Sequence, residues 1–325
     1  MPFEQVMALA GGFLPSFCLR AIVELDVANR LGDAPMEIED LAKSCGLHAG
    51  ALQRVLWLLS ANGIFEISGT RVAHNAASRL LAAGHPQSLD AMVRMITEPV
   101  NYLPVASIGE SLKTGKPSAP KVFPEGYWGY LAAHPEVGRI FDGAMEAKAH
   151  GQIAAVLGAY DFSTTPRIAD IGGGSGHLLK AILARHSGCS GVLFDQQHVV
   201  AAVKADPPDR MALKAGDFFQ DNLPQADAYL LMEVLHDWTD ADAIRLLGNL
   251  RRAAPAGSKL IVIEGQLADK PTRNWTQMLD VFMLALFAGS QRTESQYTSL
   301  AGQSGFRHIR TVPNAAADLL EFEAV

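Results

Sequence analysis

Two short stretches hold residues that could do chemistry. In MEVLHDWTD, residues 232–240, His236 and Asp237 directly follow a short apolar run. In DIGGGSGHLL, residues 170–179, glycines at 172, 174 and 176 fall where a strand would give way to a helix. Histidine, with an ordinary pKa of about 6.5, can accept a proton near neutral pH. A glycine turn at a helix start lets a ligand approach both the backbone and the helix N-terminus.

The glycine spacing is G-x-G-x-G. A dinucleotide fingerprint would place its third glycine at 177, where His177 stands, and no Gly-Lys-Ser/Thr follows to make a phosphate loop. Asp170, at the end of the first strand, would repel a pyrophosphate but welcome the cationic amino-acid part of a ligand. Asp195 ends the second run and suits ribose hydroxyls. Asp217, in GDFF, ends the third run and can accept from an exocyclic amine, with Phe218 and Phe219 available to flank a ring. Amino group, ribose and adenine together fit S-adenosylmethionine better than NAD. The plain alternative is that each aspartate merely caps the helix that follows it.

These residues need a scaffold that brings strand ends together. From Arg167 onward, short apolar runs alternate with amphipathic helices: RIADIGGG, SGHLLKAILARH, SGVLFD, MALKAGDFF, AYLLMEVLH, DADAIRLLGNLRRA and SKLIVIEG. That grammar predicts an α/β fold with a mostly parallel Rossmann-like sheet covered on both faces, whose carboxyl edge is the ligand edge. FRHIRTVP and LLEFEAV are expected to pair as an antiparallel edge hairpin.

The first 105 residues read differently. FLPSFCLRAIVELDVANRLG has helical apolar spacing and a stop at Gly32, MEIEDLAKSCGL and HAGALQRVLWLLSANG give two helices about a turn at Gly46, and IFEISGTRVAH turns at Ser68-Gly69. Helix, turn, helix and hairpin make a winged-helix-like domain. Its charge opposes DNA binding: between Glu37 and Glu66, Lys43 and Arg54 stand against Glu37, Glu39, Asp40 and Glu66. The second helix, with Val55 to Leu59 all apolar, is expected to be buried, which favours an oligomer or domain interface. Residues 106–160 form a helical bridge at the start of a second domain, 106–325.

Composition narrows the partners. The chain has 325 residues, 49% hydrophobic and 19% charged, and a net charge of −7, which disfavours nucleic acid. No apolar run is long enough to suggest a membrane span, and the first residues lack a signal-peptide pattern, so a cytoplasmic location is expected. Cys18, Cys45 and Cys189 are too scattered for a disulfide framework or a zinc site; they are expected to be buried apolar residues, with no metal.

With these residues in view, the sequence resembles the S-adenosylmethionine-dependent O-methyltransferases of the plant caffeic acid and bacterial polyketide and phenazine type. The resemblance runs through DIGGGSGHLLKAIL, FDQQHVV, GDFF, LHDWTD, IVIEG and RTESQYTSLAGQSGF and covers nearly the whole chain. It implies a class I methyltransferase sheet behind a winged-helix-like N-terminal domain that serves homodimerisation. It also implies that Asp170, Gly172 and Gly174 cradle the methionine part of the cofactor, Asp195 and Gln196 the ribose, and Asp217, Phe218 and Met232 the adenine. His236 would be the general base, oriented by Glu264 and Glu294. Two departures stand out: Glu233 follows Met232 where relatives often carry Lys or Arg, and AGSQRT replaces a Gly-Gly before the Glu-Arg-Thr motif.

Methyl transfer from a sulfonium is an in-line displacement, so holding the acceptor oxygen aligned is the main task. A phenol, with pKa about 10, must lose its proton, and a neutral histidine can take it. Asp237 could bind a second polar group. Trp128, Phe141, Met145, Met278 and Phe282 are candidates for a flat, apolar, aromatic acceptor pocket, although such residues at helical spacing are also ordinary core. The alternatives left open are nitrogen or carbon acceptors, a decarboxylase, hydroxylase or cyclase on the same fold, and a winged-helix regulator.

Overall fold

The structure is a computed structural model, which describes residues 1–203, 209–314 and 317–325. The chain divides into two compact units, residues 1–103 with 125–148, and residues 104–124 with 149–325.

In the first unit, helices Ile38–Cys45 and Ala49–Ala61 are joined at Gly46, which ends the first of them in the left-handed conformation (φ 68°) that glycine adopts without cost. The expected hairpin is β2 (Glu66–Ser68) and β3 (Arg71–Ala73), and a short β1 (Met36–Glu37) pairs with β3. The long N-terminal helix expected up to Gly32 is instead broken: Phe13–Glu24 ends at Asp26 (φ 60°) before a short turn, Val27–Arg30. The second helix is not buried all round. Leu52, Leu56 and Leu59 face the core with Ile22, Leu41 and Phe65, whereas Trp57 is 56% exposed, because five consecutive apolar residues must span more than one helix face. Cys18 and Cys45 are only partly covered, and Cys189 alone is buried.

The second unit holds a seven-stranded sheet: β4 (Arg167–Ile171), β5 (Ser190–Asp195), β6 (Met211–Ala215), β7 (Ala228–Met232), β8 (Lys259–Glu264), β9 (Phe306–Val312) and β10 (Asp318–Ala324). The order is β6-β5-β4-β7-β8-β10-β9, parallel except that β10 is antiparallel to both β8 and β9. This is the expected class I methyltransferase sheet with its C-terminal hairpin. The central strands β4, β7 and β8 are buried almost throughout because helices cover both faces, which is why they read as unbroken apolar runs. Two apolar clusters, one including Phe194, Leu231, Leu246 and Phe322, the other Ile168, Leu179, Leu193 and Ile261, form the core of this unit.

Among the described residues no single helix is long and apolar enough to cross a membrane. Phe322, fully buried on β10, should make the hairpin's contribution measurable: Phe322→Ala is expected to lower unfolding free energy by about 3–5 kcal/mol in a denaturant titration.

Candidate active site

The glycine turn leaves β4 and enters helix His177–Arg185. Gly172, Gly174 and Gly176 all have positive φ. Gly173, not singled out by its spacing, is the most crowded of the loop: a Cβ there would lie 2.4 Å from Asp170 Oδ2 and 2.6 Å from Leu193. Asp170 is thus packed directly beneath the loop, 1% exposed, and its Oδ2 has no hydrogen-bond partner. Burial, then the charge of Asp195, raise its carboxyl to about 7 against the lowering effect of the Leu179 backbone amide.

Asp195, the last residue of β5, accepts the Gly174 N–H at 2.8 Å and, through Oδ1, the Gln196 N–H at 2.7 Å. One carboxylate therefore ties the glycine loop to the next strand end. Asp217 lies two residues beyond β6, not on it, and accepts from the Phe219 N–H and the Gln220 side chain, so its carboxylate organises that turn. Phe218 packs edge-on against Phe219 and Trp238, and its ring approaches Gly172. Met232 ends β7, half-buried. Asp170, Gly172, Gly174, Asp195, Asp217, Phe218 and Met232 are therefore gathered along the carboxyl edge of four strands.

His236 lies beyond the strand end, in a single 3-10 turn, Leu235–Asp237. Its Nδ1 is 2.6 Å from Oε2 of Glu264, the fully buried last residue of β8, while Glu264 Oε1 accepts the Leu235 N–H at 2.8 Å. Asp237 Oδ1 is 3.4 Å from His236 Nε2. Burial alone would lower the histidine's pKa. The charge and hydrogen bond of Glu264, with the charges of Asp237 and Glu233, outweigh it and raise the imidazole to about 9. Glu233 itself has φ 54° and accepts from buried Gln152 at 3.0 Å.

Two residues missed in the sequence clamp this turn. A Cβ on Gly289 would lie 1.9 Å from the His236 carbonyl oxygen, so the two backbones touch. Arg292, 2% exposed, donates to the carbonyls of Leu235 at 2.9 Å and Trp238 at 2.7 Å, on either side of His236, and pairs with Asp240 at 2.8 Å. A buried guanidinium surrounded by carbonyls has no local sequence pattern beyond the arginine itself. Glu294, expected to orient the imidazole, does not do so: it is exposed in the first turn of helix Glu294–Gln303, where a carboxylate is favoured by the helix dipole, and makes no hydrogen bond or ion pair with His236.

The acceptor candidates fall in both units. In the first, Trp128 and Phe141 meet edge to face at 5.5 Å, with Trp128 56% exposed and Met145 half-buried. In the second, Asp237 is partly buried, and helix Trp275–Leu286 presents Met278, exposed, and Phe282, partly covered beside Trp275. Among the described residues no group of three or more His, Cys, Asp or Glu could hold a metal ion.

Comparison with known proteins gives this geometry a family. Residues 106–307 match the O-methyltransferase domain and residues 7–84 the O-methyltransferase dimerisation domain. The chain belongs to the O-methyltransferase family. It is 35% identical to phenazine O-methyltransferase PhzM of Lysobacter antibioticus, over 97% of this chain and 94% of that protein. It is 34% identical to 8-amino-8-demethylriboflavin N,N-dimethyltransferase of Streptomyces davaonensis, over 90% and 86%. Among solved structures it resembles CalO1, a methyltransferase in calicheamicin biosynthesis in its SAH-bound form, with TM-score 0.91, 29% identity and coverage of 100% and 99%.

The contact between Gly289 and His236 yields a test. Gly289→Ala must displace the His236 turn, and a displacement near 1 Å is expected to lower methyl-transfer kcat by about 100-fold. Affinity for S-adenosylhomocysteine, measured by calorimetry, should stay within about twofold, since the atoms nearest the Gly289 Cβ position belong to His236 and Asp237.

Proposed function

We propose that this protein transfers a methyl group from S-adenosylmethionine to a hydroxyl of a small aromatic or polycyclic secondary metabolite, with His236 as general base. The observation that carries this reading is the buried His236–Glu264 pair at the carboxyl edge of β7 and β8, beside the glycine loop. The relatives named for phenazine and riboflavin substrates support an aromatic acceptor.

The residues present fit S-adenosylmethionine. Nothing lies within 4 Å of the Cβ position of Gly174, so the loop is open to a ligand there, Asp170 keeps an unpartnered buried oxygen beneath it, and Asp195 retains lone pairs for hydroxyls. Asp170, Gly172 and Gly174 would hold the methionine part, Asp195 and Gln196 the ribose, and Asp217, Phe218 and Met232 the adenine. When bound, S-adenosylmethionine supplies a methyl group on a positively charged sulfur.

The protein's own part is to orient the acceptor and move one proton. Glu264 holds the Nδ1–H of His236, which fixes the tautomer and leaves Nε2 to take the acceptor's proton. The three carboxylates make His236 a stronger base than an ordinary histidine, which brings it closer to a phenol and eases the transfer. The cost is population: the same carboxylates favour the protonated imidazole, so the neutral form is the minority at neutral pH. In the second unit, Met278 and Phe282 would flank the acceptor, and Asp237 would bind a second polar group on it.

A nitrogen acceptor is the second reading, favoured by the N,N-dimethyltransferase relative and by Glu233 and Asp237, whose charges suit an amine. Homodimerisation would use the first unit, where Phe3, Val6, Leu9, Phe13, Leu14 and Trp57 are exposed.

Mass spectrometry of the protein with S-adenosylmethionine and a panel of hydroxylated and amino aromatics should detect S-adenosylhomocysteine and a product heavier by one methyl. Cofactor that binds without being consumed across the panel would remove the methyltransferase reading. His236→Ala should lower kcat about 10²–10⁴-fold and leave cofactor affinity unchanged. Because the base form is absent below the raised pKa and gained above it, kcat/KM should rise with pH up to about 9. Glu264→Gln, which removes the main group raising that pKa, should move this limb to lower pH; a limb that stays in place would exclude His236 as the titrating base.

A further inference from the structure

Gln291 is 3% exposed, and both side-chain atoms, Oε1 and Nε2, are fully enclosed with no hydrogen-bond partner. Its backbone is fixed, since its N–H donates to Asp280 Oδ1 at 2.9 Å. Its neighbours are those of the His236 turn: Gly289 abuts the His236 carbonyl, and Arg292 holds the carbonyls of Leu235 and Trp238. The Gln291 amide oxygen lies 3.6 Å from the Cβ position of Gly265, the residue after Glu264. Thr276 Oγ1, in the first turn of helix Trp275–Leu286, lies 3.2 Å from the same point. The amide is thus wedged between the end of β8 and the helix that carries Met278 and Phe282. Gln266, bridged to Arg292 in the backbone, also encloses an unpartnered Nε2.

A buried amide left unmade costs about 1–3 kcal/mol for each polar group, so such a side chain is retained where something completes it. A carboxamide offers a donor and an acceptor side by side, and it is neutral. The His236 imidazole already feels the charges of Glu264, Asp237 and Glu233, so a further anion is disfavoured there.

We propose that Gln291 is an acceptor-binding residue that selects uncharged acceptors presenting a hydrogen-bond donor and acceptor together beside the reacting hydroxyl, such as a carboxamide or lactam edge on an aromatic ring. This rests on the reading of His236 as the base at the acceptor site. A site that requires paired hydrogen bonds rejects ligands lacking them, because its own groups are then left unmade.

The test compares 3-hydroxy-2-naphthamide, 2-naphthol and 3-hydroxy-2-naphthoate, each titrated into the S-adenosylhomocysteine complex by calorimetry and each assayed for methylation. The wild type should bind the amide at least about tenfold more tightly than either of the others. Gln291→Met should bring amide and naphthol within about twofold, and Gln291→Glu, which loses the N–H donor, should weaken the amide and reject the naphthoate further. Unchanged affinity of both variants for S-adenosylhomocysteine shows that the fold is intact. An amide preference that survives in Gln291→Met, a wild type that favours the naphthoate, or one that does not distinguish the three would overturn the proposal; the first is the outcome if enclosed water completes the amide. Selective binding lost in Gln291→Met without methylation of any probe would uphold the selectivity of Gln291 and count against the reaction proposed above.

Discussion

Glu264 is a carboxylate with no solvent exposure, and a buried charge persists only where partners surround it. The parallel register of β7 and β8, Met232 opposite Ile263, delivers Glu264 beside the residues that leave β7. Its two oxygens then organise the turn, one through the Leu235 amide and the other through His236 Nδ1. Backbone course and imidazole orientation are set by the same group. Loss of either partner strands the other, so the arrangement is kept whole or not at all.

The same edge gathers acids that disfavour one another. Asp195 raises Asp170, while Asp237 and Glu233 add to Glu264 in raising His236. Such crowding would be costly in a site for phosphates or carboxylates. It is apt for a ligand that brings positive charge to the sheet edge and for a proton that must be drawn off an acceptor.

Much of this was legible beforehand, for physical reasons. Parallel strands buried on both faces are apolar runs, and glycine turns before helices have fixed spacing, so the sheet, its hairpin and the 170–176 loop could be read from periodicity alone. The partners of His236 were less so. Glu264 followed from resemblance, but Glu294 did not join it, since it lies in an exposed first helical turn with Ser295 and Gln296. Gly289, Arg292 and Gln152 act through contacts distant in sequence, which no local pattern encodes. Gly173 was hidden among its neighbours because spacing counts glycines, whereas crowding depends on what lies beneath them, here Asp170 and Leu193.

Glu233, out of place by family pattern, has a structural part in the turn. Its N–H makes a last bond to the Ile263 carbonyl at 2.9 Å, continuing the β7–β8 ladder, and its φ of 54° then swings the chain out of register. A non-glycine residue in that region costs about 1–3 kcal/mol, so surrounding bonds must hold it there. Gln152 grips its side chain, and the following amides are taken up by Glu264. The strained residue is what turns a sheet edge into a cup around one buried carboxylate, and its charge then adds to the basicity of the histidine that the cup presents.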